Sequence, residues 1–406
     1  MSNNVLFITY DGLTDQLGQS QILPYINGLI GRGFRFSILS FEKKNGLYSI
    51  EEISHKLEKL GIKWYPQQYT KNPPVLSTVI DVKRLLWESE RIAKENNINL
   101  VHCRSYIPAL AGLKLKTKYG IKFLFDMRGF WADERVDGGL WNLNNPVYSL
   151  IYKYFKRKEQ AFLQNADHVI SLTENGANEM KTWENSKSFA PVSIIPCSVD
   201  VTAFSPQTIN LTDVKKLKNE LEITKDDKIL LYLGSVGTWY MLSEMLSFFE
   251  ILIEKDSSWK FLFLTREKDL VEKEVREMGL DSSMVIITES QRDSMPTYIS
   301  LADWGLFFIK PSYSKKSSSP TKQGELMSMG LPIITNAGVG DTDTIVKRFN
   351  SGIIVPTTQI KDLDEGVSEM LKGEFDKENI KLGAKSFFSL EKAIETYAKV
   401  YSQILS

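Results

Sequence analysis

Short apolar runs alternate with longer amphipathic stretches along almost the whole chain, the pattern of a parallel sheet covered by helices. The runs VLFITY (5–10), FRFSILSF (34–41), NLVHCR (99–104), KFLFDM (122–127) and HVISLT (168–173) predict one set of strands. A second set follows the segment IIPCSVDVTAFSP: ILLYLGS (229–235), KFLFLT (260–265), MVIITE (284–289), WGLFFIK (304–310), PIITN (332–336) and GIIVP (352–356). Two doubly wound sheets in tandem follow, joined near residues 196–206. The stretch PVYSLIYKYFKRKEQAFLQNAD (146–167) reads as a helix whose basic and aromatic side chains either face solvent or touch something anionic. No internal repeat is visible, and KKSSS (315–319) is the only low-complexity tract. Ligands of open sheets bind beyond the carboxyl ends of the strands. Two such sheets facing one another therefore predict a cleft lined by the loops after each strand.

Composition narrows the partners. At 406 residues and 42% hydrophobic the chain can bury more than one core. Lysine plus arginine and aspartate plus glutamate both total 50, so nothing global argues for nucleic acid. Cys103 and Cys197 match no metal or redox spacing and suit a reducing compartment, and His55, His102 and His168 are too scattered for a zinc site. The opening NVLFITYDG enters a strand pattern without the features of a signal peptide, and no run approaches the length of a membrane span. A cytoplasmic, soluble protein is expected, one that can still sit on the inner face of a membrane.

The unusual residues fall in the predicted loops. YDGLTDQLGQSQILPY leads from the first strand into a helix opening around Ser20 or Gln21, with Gly18 permitting close approach of a ligand. It matches neither the spaced glycines of a dinucleotide fingerprint nor a GxxxxGK[ST] phosphate loop. GSVGTWY (234–240) repeats the design, and amides between Gly234 and Gly237 could hold a phosphate oxygen, while Trp239 and Tyr240 read equally as packing or as ligand contacts. In SPTKQGELMSMG (319–330), Pro320 suits a helix start and Ser319 or Thr321 could cap it. Lys322 adds a charge beside the first-turn amides, which together would stabilise a leaving diphosphate without a metal. Glu325, one turn on, suits the two hydroxyls of a ribose; the plainer reading is an ordinary surface pair. In NAGVGDTDTIV (336–346), Asp341 is a candidate cap. FDMRGFWADE (125–134) places Asp126, Arg128, Trp131, Asp133 and Glu134 at a carboxyl edge, with Arg104 at the end of the neighbouring strand. Substrate contact and a salt-bridged surface loop are both open there.

GQSQILPY, FDMRGFWADE, SLTENG, IIPCSVDVTAF, LYLGSVGTWY and SPTKQGELMSMGLPII, in this order along the chain, resemble the landmarks of family 4 glycosyltransferases of bacterial capsule, lipopolysaccharide and exopolysaccharide type. The resemblance implies an α/β GT-B fold of two facing Rossmann-like domains: an acceptor-binding one over 1–200, a nucleotide-sugar-binding one over 201–385, and a helix over 386–406 packing back toward the first. It implies a retaining transferase of hexosyl type that moves a sugar from a UDP-, GDP- or dTDP-sugar to a saccharide or polyprenyl-linked saccharide. No cofactor and no obligatory metal are implied.

Carried over, Lys322, Glu325 and Asp126 would be catalytic, with Asp126 standing where many relatives place a histidine. Ser319, Pro320, Thr321, Gly234, Ser235, Gly237 and Thr238 would surround the diphosphate, with Arg266 nearby, and Glu289, Ser290 and Arg292 would lie by the base. Gly18 would approach the donor from the other domain, with Gln19, Arg104, Arg128, Trp131 and Asp133 on the acceptor side. Two departures stand out. Ser317 occupies the first position of the family's glutamate pair, and Ser235 replaces an arginine with no lysine following before Lys255. Cationic stabilisation then falls to Lys322, aided by Arg266, Lys310, Lys315 or Lys316.

A nucleotide-sugar epimerase of the same fold, and a catalytically silent nucleotide-sugar-binding protein, are the competing readings. The basic segments 113–122 and 152–158 would suit a lipid-linked acceptor at an anionic membrane, or are solvated helix faces.

Overall fold

All thirteen strands of the computed structural model, which describes residues 3–44 and 46–406, pair in parallel. They fall in two compact units: the chain through Pro196 together with Leu390–Ser406, and Cys197–Ser389.

The first unit holds seven strands: β1 (Asn4–Thr9), β2 (Arg35–Glu42), β3 (Lys63–Gln68), β4 (Leu100–Arg104), β5 (Lys122–Asp126), β6 (His168–Ser171) and β7 (Val192–Ile194). Their order across the sheet is β3-β2-β1-β4-β5-β6-β7. Helices cover both faces, so the central strands read as continuous apolar runs; Val5, Leu6, Phe7 and Ile8 of β1 are all buried. One face packs the helices Leu76–Glu95, Tyr106–Tyr119 and Pro146–Asn165. The other packs Leu23–Ile30, Ile50–Lys59 and the last helix, Leu390–Leu405, through Ile394, Tyr397 and Tyr401.

The second unit holds β8 (Lys228–Leu233), β9 (Trp259–Leu264), β10 (Val285–Thr288), β11 (Trp304–Phe307), β12 (Ile333–Asn336) and β13 (Gly352–Val355), ordered β10-β9-β8-β11-β12-β13.

Two strands escape the hydrophobic pattern, and both lie on edges of the first sheet. β3 is the half-buried KWYPQQ, where Pro66 is tolerated because an edge strand need not donate on its outer side, and β7 is only three residues long. The first helix also differs from expectation. It spans Gln16–Gln21, and a second begins at Leu23, so Gly18 and Gln19 are helical rather than part of the preceding loop. The helix Pro146–Asn165 matches its pattern, with Pro146 in the first turn and Asn145 accepting from the Val147 N–H at 2.9 Å.

Candidate functional site

The crevice of a doubly wound sheet opens where the strand order reverses. In the second unit this point lies between β8 and β11. β8 delivers Tyr232, a fully buried ring whose hydroxyl donates to the carbonyl of Ser235 just beyond the strand. Gly234 follows at φ +108°, and a Cβ there would lie 3.4 Å from the Lys322 Nζ. The positive φ favours glycine, while the space beside it would admit a Cβ in ordinary contact. Thr238, rather than Gly237, takes the other positive φ of this turn, at 57°. The turn's amides are not all free for a phosphate, as the sequence allowed. The Val236 N–H donates to Glu267 at 3.2 Å, and the same carboxylate accepts from Thr265 Oγ1 at 2.9 Å.

Lys322, on the helix Thr321–Ser328, sits against this turn. Its ammonium lies 3.6 Å from the centroid of Tyr240 and 4.0 Å from that of Tyr232, buried and with no hydrogen-bond partner among the described residues. Aromatic faces attract a cation, but they do not replace the hydrogen bonds it loses with water. Burial pushes the Lys322 pKa well below the ordinary amine value, with Glu325 and Glu267 pulling partly the other way.

Glu325 is buried too, and its Oε1 accepts from Arg292 at 2.9 Å, while the Arg292 guanidinium lies 5.2 Å from the centroid of Phe204. Lys322 and Glu325 are therefore not a surface pair: each faces the protein and has separate neighbours. Neither proposed cap is used. Pro320 occupies the N-cap position, and the Ser319 hydroxyl accepts from the Cys197 N–H at 3.2 Å. Asp341 holds the N-cap position of the helix Thr342–Phe349 without a side-chain capping bond.

The structure sorts the other cations. Lys315 is buried with its ammonium 3.7 Å from the centroid of Trp239, so Trp239 and Tyr240 each carry a lysine on one ring. Lys316 lies 5.3 Å from the Tyr313 centroid, and Lys310 is exposed. Arg266 and Glu289 form an exposed pair at 3.8 Å, Ser290 donates to the carbonyl of Gln291, and Ser317 is buried, donating to Ser314.

In the first unit the reversal lies between β1 and β4, where the Arg104 guanidinium bonds Asp11. Asp126 ends β5, buried. Its Oδ2 accepts from the Tyr397 hydroxyl at 3.2 Å and lies 3.4 Å from His102 Nε2 and 4.0 Å from Arg128, while Oδ1 has no hydrogen-bond partner among the described residues. Burial works to raise the Asp126 pKa, yet Arg128 and His102 hold it below the usual carboxylate value. Burial pushes His102 down. A neutral imidazole donating from Nε2 to Asp126 accepts a hydrogen bond from the Tyr401 hydroxyl at Nδ1, 2.6 Å away. A small cavity beside this chain of bonds is lined by Gln21, Arg104, Asp126, Arg128 and Tyr397 among others. Ser105 and Arg128, just past β4 and β5, hold φ of 74° and 56°, strained values that cluster where a site is built.

The remaining acceptor-side candidates have structural partners. Trp131 packs between Tyr106 and Phe155, with centroids at 5.7 and 4.9 Å, and Asp133 accepts from Tyr152 at 2.8 Å and Lys156 at 2.9 Å. A Cβ on Gly18 would lie 2.5 Å from the Gly12 carbonyl oxygen, so its small size serves the loop's own packing rather than a ligand. Gln19 donates to the Leu13 carbonyl at 2.7 Å. Sequence reasoning missed Tyr232, Glu267, His102, Tyr397 and Tyr401. The one usable signal was a histidine set among the apolar residues Leu100, Val101 and Cys103 of a buried strand.

Comparison with known proteins places this geometry. Glycosyltransferase Family 4 matches residues 21–203, and Glycosyl transferases group 1 matches residues 213–387. D-inositol 3-phosphate glycosyltransferase of Mycobacteroides abscessus is 20% identical over 289 residues, which is 70% of this chain; the match spans only 60% of that relative's length. Sucrose-phosphate synthase from Thermosynechococcus elongatus shares the fold with a TM-score of 0.76 at 16% identity, over 99% of this chain and 98% of that one. HepE of Anabaena, in complex with UDP-glucose, superposes with a TM-score of 0.70 at 12% identity, over 98% and 99%.

Proposed function

Since this chain belongs to the glycosyltransferases, a family 4 domain followed by a group 1 domain in a two-domain GT-B-like fold, we propose that the Lys322 pocket holds the diphosphate of a nucleotide-sugar donor. The observation that carries this reading is the buried Lys322 ammonium, which lies against two aromatic rings and has no hydrogen-bond partner among the described residues. A diphosphate would supply the charge and acceptor oxygens that the site lacks. Glu325, held by Arg292, takes the ribose hydroxyls. UDP-, GDP- and dTDP-sugars are the donor class, and HepE, which shares the fold, was solved with UDP-glucose.

The acceptor is a saccharide or a polyprenyl-linked saccharide of surface polysaccharide synthesis, received by the first unit. There the unpartnered Asp126 Oδ1 accepts from an acceptor hydroxyl. Transfer proceeds with retention. The bond from the anomeric carbon to the β-phosphate oxygen breaks, the acceptor oxygen bonds to that carbon on the same face, and the departing phosphate oxygen takes the acceptor proton. The protein orients both reactants and stabilises charge on the leaving diphosphate through Lys322.

Incubation with each nucleotide-sugar and a lipid-linked saccharide extract, followed by release of nucleoside diphosphate, tests this. Lys322→Ala is expected to lower turnover by about 100-fold or more, the scale of losing one such stabilising group. Unchanged turnover would sink the reading.

A further inference from the structure

The helix Pro146–Asn165 presents two unlike faces. Phe155, Glu159, Phe162 and Leu163 are buried and fix it to the first unit. Beside that face Val147, Leu150 and Tyr154, spaced by three and four residues, form one exposed stripe, and Leu143 is exposed in the turn just before the helix. Leu150 is 68% exposed and Val147 50%. Single exposed apolar side chains are ordinary, but a continuous stripe on a firmly anchored helix marks a contact surface.

The charges around the stripe identify the contact. In the neighbouring segment 113–122 every lysine is paired: Lys114 and Lys118 with Glu90, Lys116 and Lys122 with Asp167. That basic run divides two carboxylates among four lysines. Lys153, Arg157 and Lys158 have no such salt bridge among the described residues, and Lys153 and Arg157 are exposed. The helix Leu76–Glu95 also exposes Leu76, Val79, Ile80 and Trp87, but it carries as many acidic as basic residues and so selects no charge.

We propose that the outer face of the helix Pro146–Asn165 docks on a lipid bilayer containing anionic lipids. Leu143, Val147 and Leu150 enter the acyl boundary, and Tyr154 lies at the headgroup level preferred by amphipathic rings. Lys153 and Arg157, exposed and next to the stripe around the helix, then meet the lipid phosphates.

The test is sedimentation of the full chain with vesicles of phosphatidylcholine alone and of phosphatidylcholine with about a third phosphatidylglycerol. The wild type should pellet with the anionic vesicles and be released by salt. Val147→Glu with Leu150→Glu should weaken binding by about tenfold or more, and Lys153→Glu with Arg157→Glu by about a hundredfold, on the scale of several surface charges. Both pairs should leave Tm unchanged, because the positions are exposed. Three results would overturn the proposal: a wild type that stays in solution with anionic vesicles at low salt, variants that pellet as it does, or a wild-type dimer that Val147→Glu with Leu150→Glu dissolves while no form binds vesicles. The last would assign the stripe to a second copy of the chain.

Discussion

Lys322 is costly to the free protein, since burying an ammonium without hydrogen bonds lowers stability. Its pKa in the fold lies below the ordinary 10.5. Between the two values the unfolded chain holds a proton that the folded chain has released, so stability rises with pH across that window. Replacing the charge by an isosteric apolar side chain removes both the cost and its pH dependence. Lys322→Met is therefore expected to stabilise the free protein by about 1–4 kcal/mol at pH 7, the gain found when buried charges become apolar. The margin over wild type should shrink as pH rises toward 10.5, as read from urea denaturation midpoints. A destabilised variant with a margin independent of pH would mean that the ammonium is already satisfied. That Lys322 and Glu325 share a helix face was legible, because the i,i+3 spacing fixes it. Their burial was not, since helical spacing says which side chains are neighbours and not which side faces the protein. Tyr232 and Glu267 arrive from a strand and a loop far away in sequence, and no local pattern announces them.

Among the elements, the inner strands were readable because helices cover both faces and leave unbroken apolar runs. β3 and β7 were not, for the same reason reversed: an edge strand is partly solvated and keeps polar residues and a proline. The start of the first helix was placed late although Asp15, a favoured capping residue, stands at its N-cap; Gly18 inside so short a helix reads as loop. The last helix contributes something that its amphipathic pattern could not reveal. Tyr397 and Tyr401, one turn apart, reach the buried polar centre of β4 and β5 and bond Asp126 and His102. Tyr397→Phe keeps the ring and removes the donor to a charged carboxylate, and should cost about 1.5–3 kcal/mol at neutral pH. Asp126 has a depressed folded pKa, so its stabilising share is present above the ordinary 3.8 and lost as pH falls through the folded value. The deficit of Tyr397→Phe should accordingly narrow in acid, and a denaturation series giving the same deficit at every pH would contradict the assigned bond.

For the molecule as a whole, a net charge of zero conceals local imbalance: a buried cationic pocket at the strand reversal of the second unit, and one helix of the first on which Lys153, Arg157 and Lys158 make no salt bridge among the described residues. Two sheets that each reverse their order once give each unit its own crevice, and the unusual residues gather there. The central claim is that the second unit's crevice binds a nucleoside diphosphate through Lys322 and Glu325. Thermal-shift titration with UDP, GDP, dTDP, ADP and CMP, on the wild type and on Glu325→Ala, tests it most directly. At about one hundred times its dissociation constant, a bound nucleotide stabilises the fold by about 2.7 kcal/mol. The account predicts that one nucleoside diphosphate raises Tm in the wild type and that the shift disappears in Glu325→Ala. No shift with any nucleotide, or a shift that persists undiminished in Glu325→Ala, would contradict it.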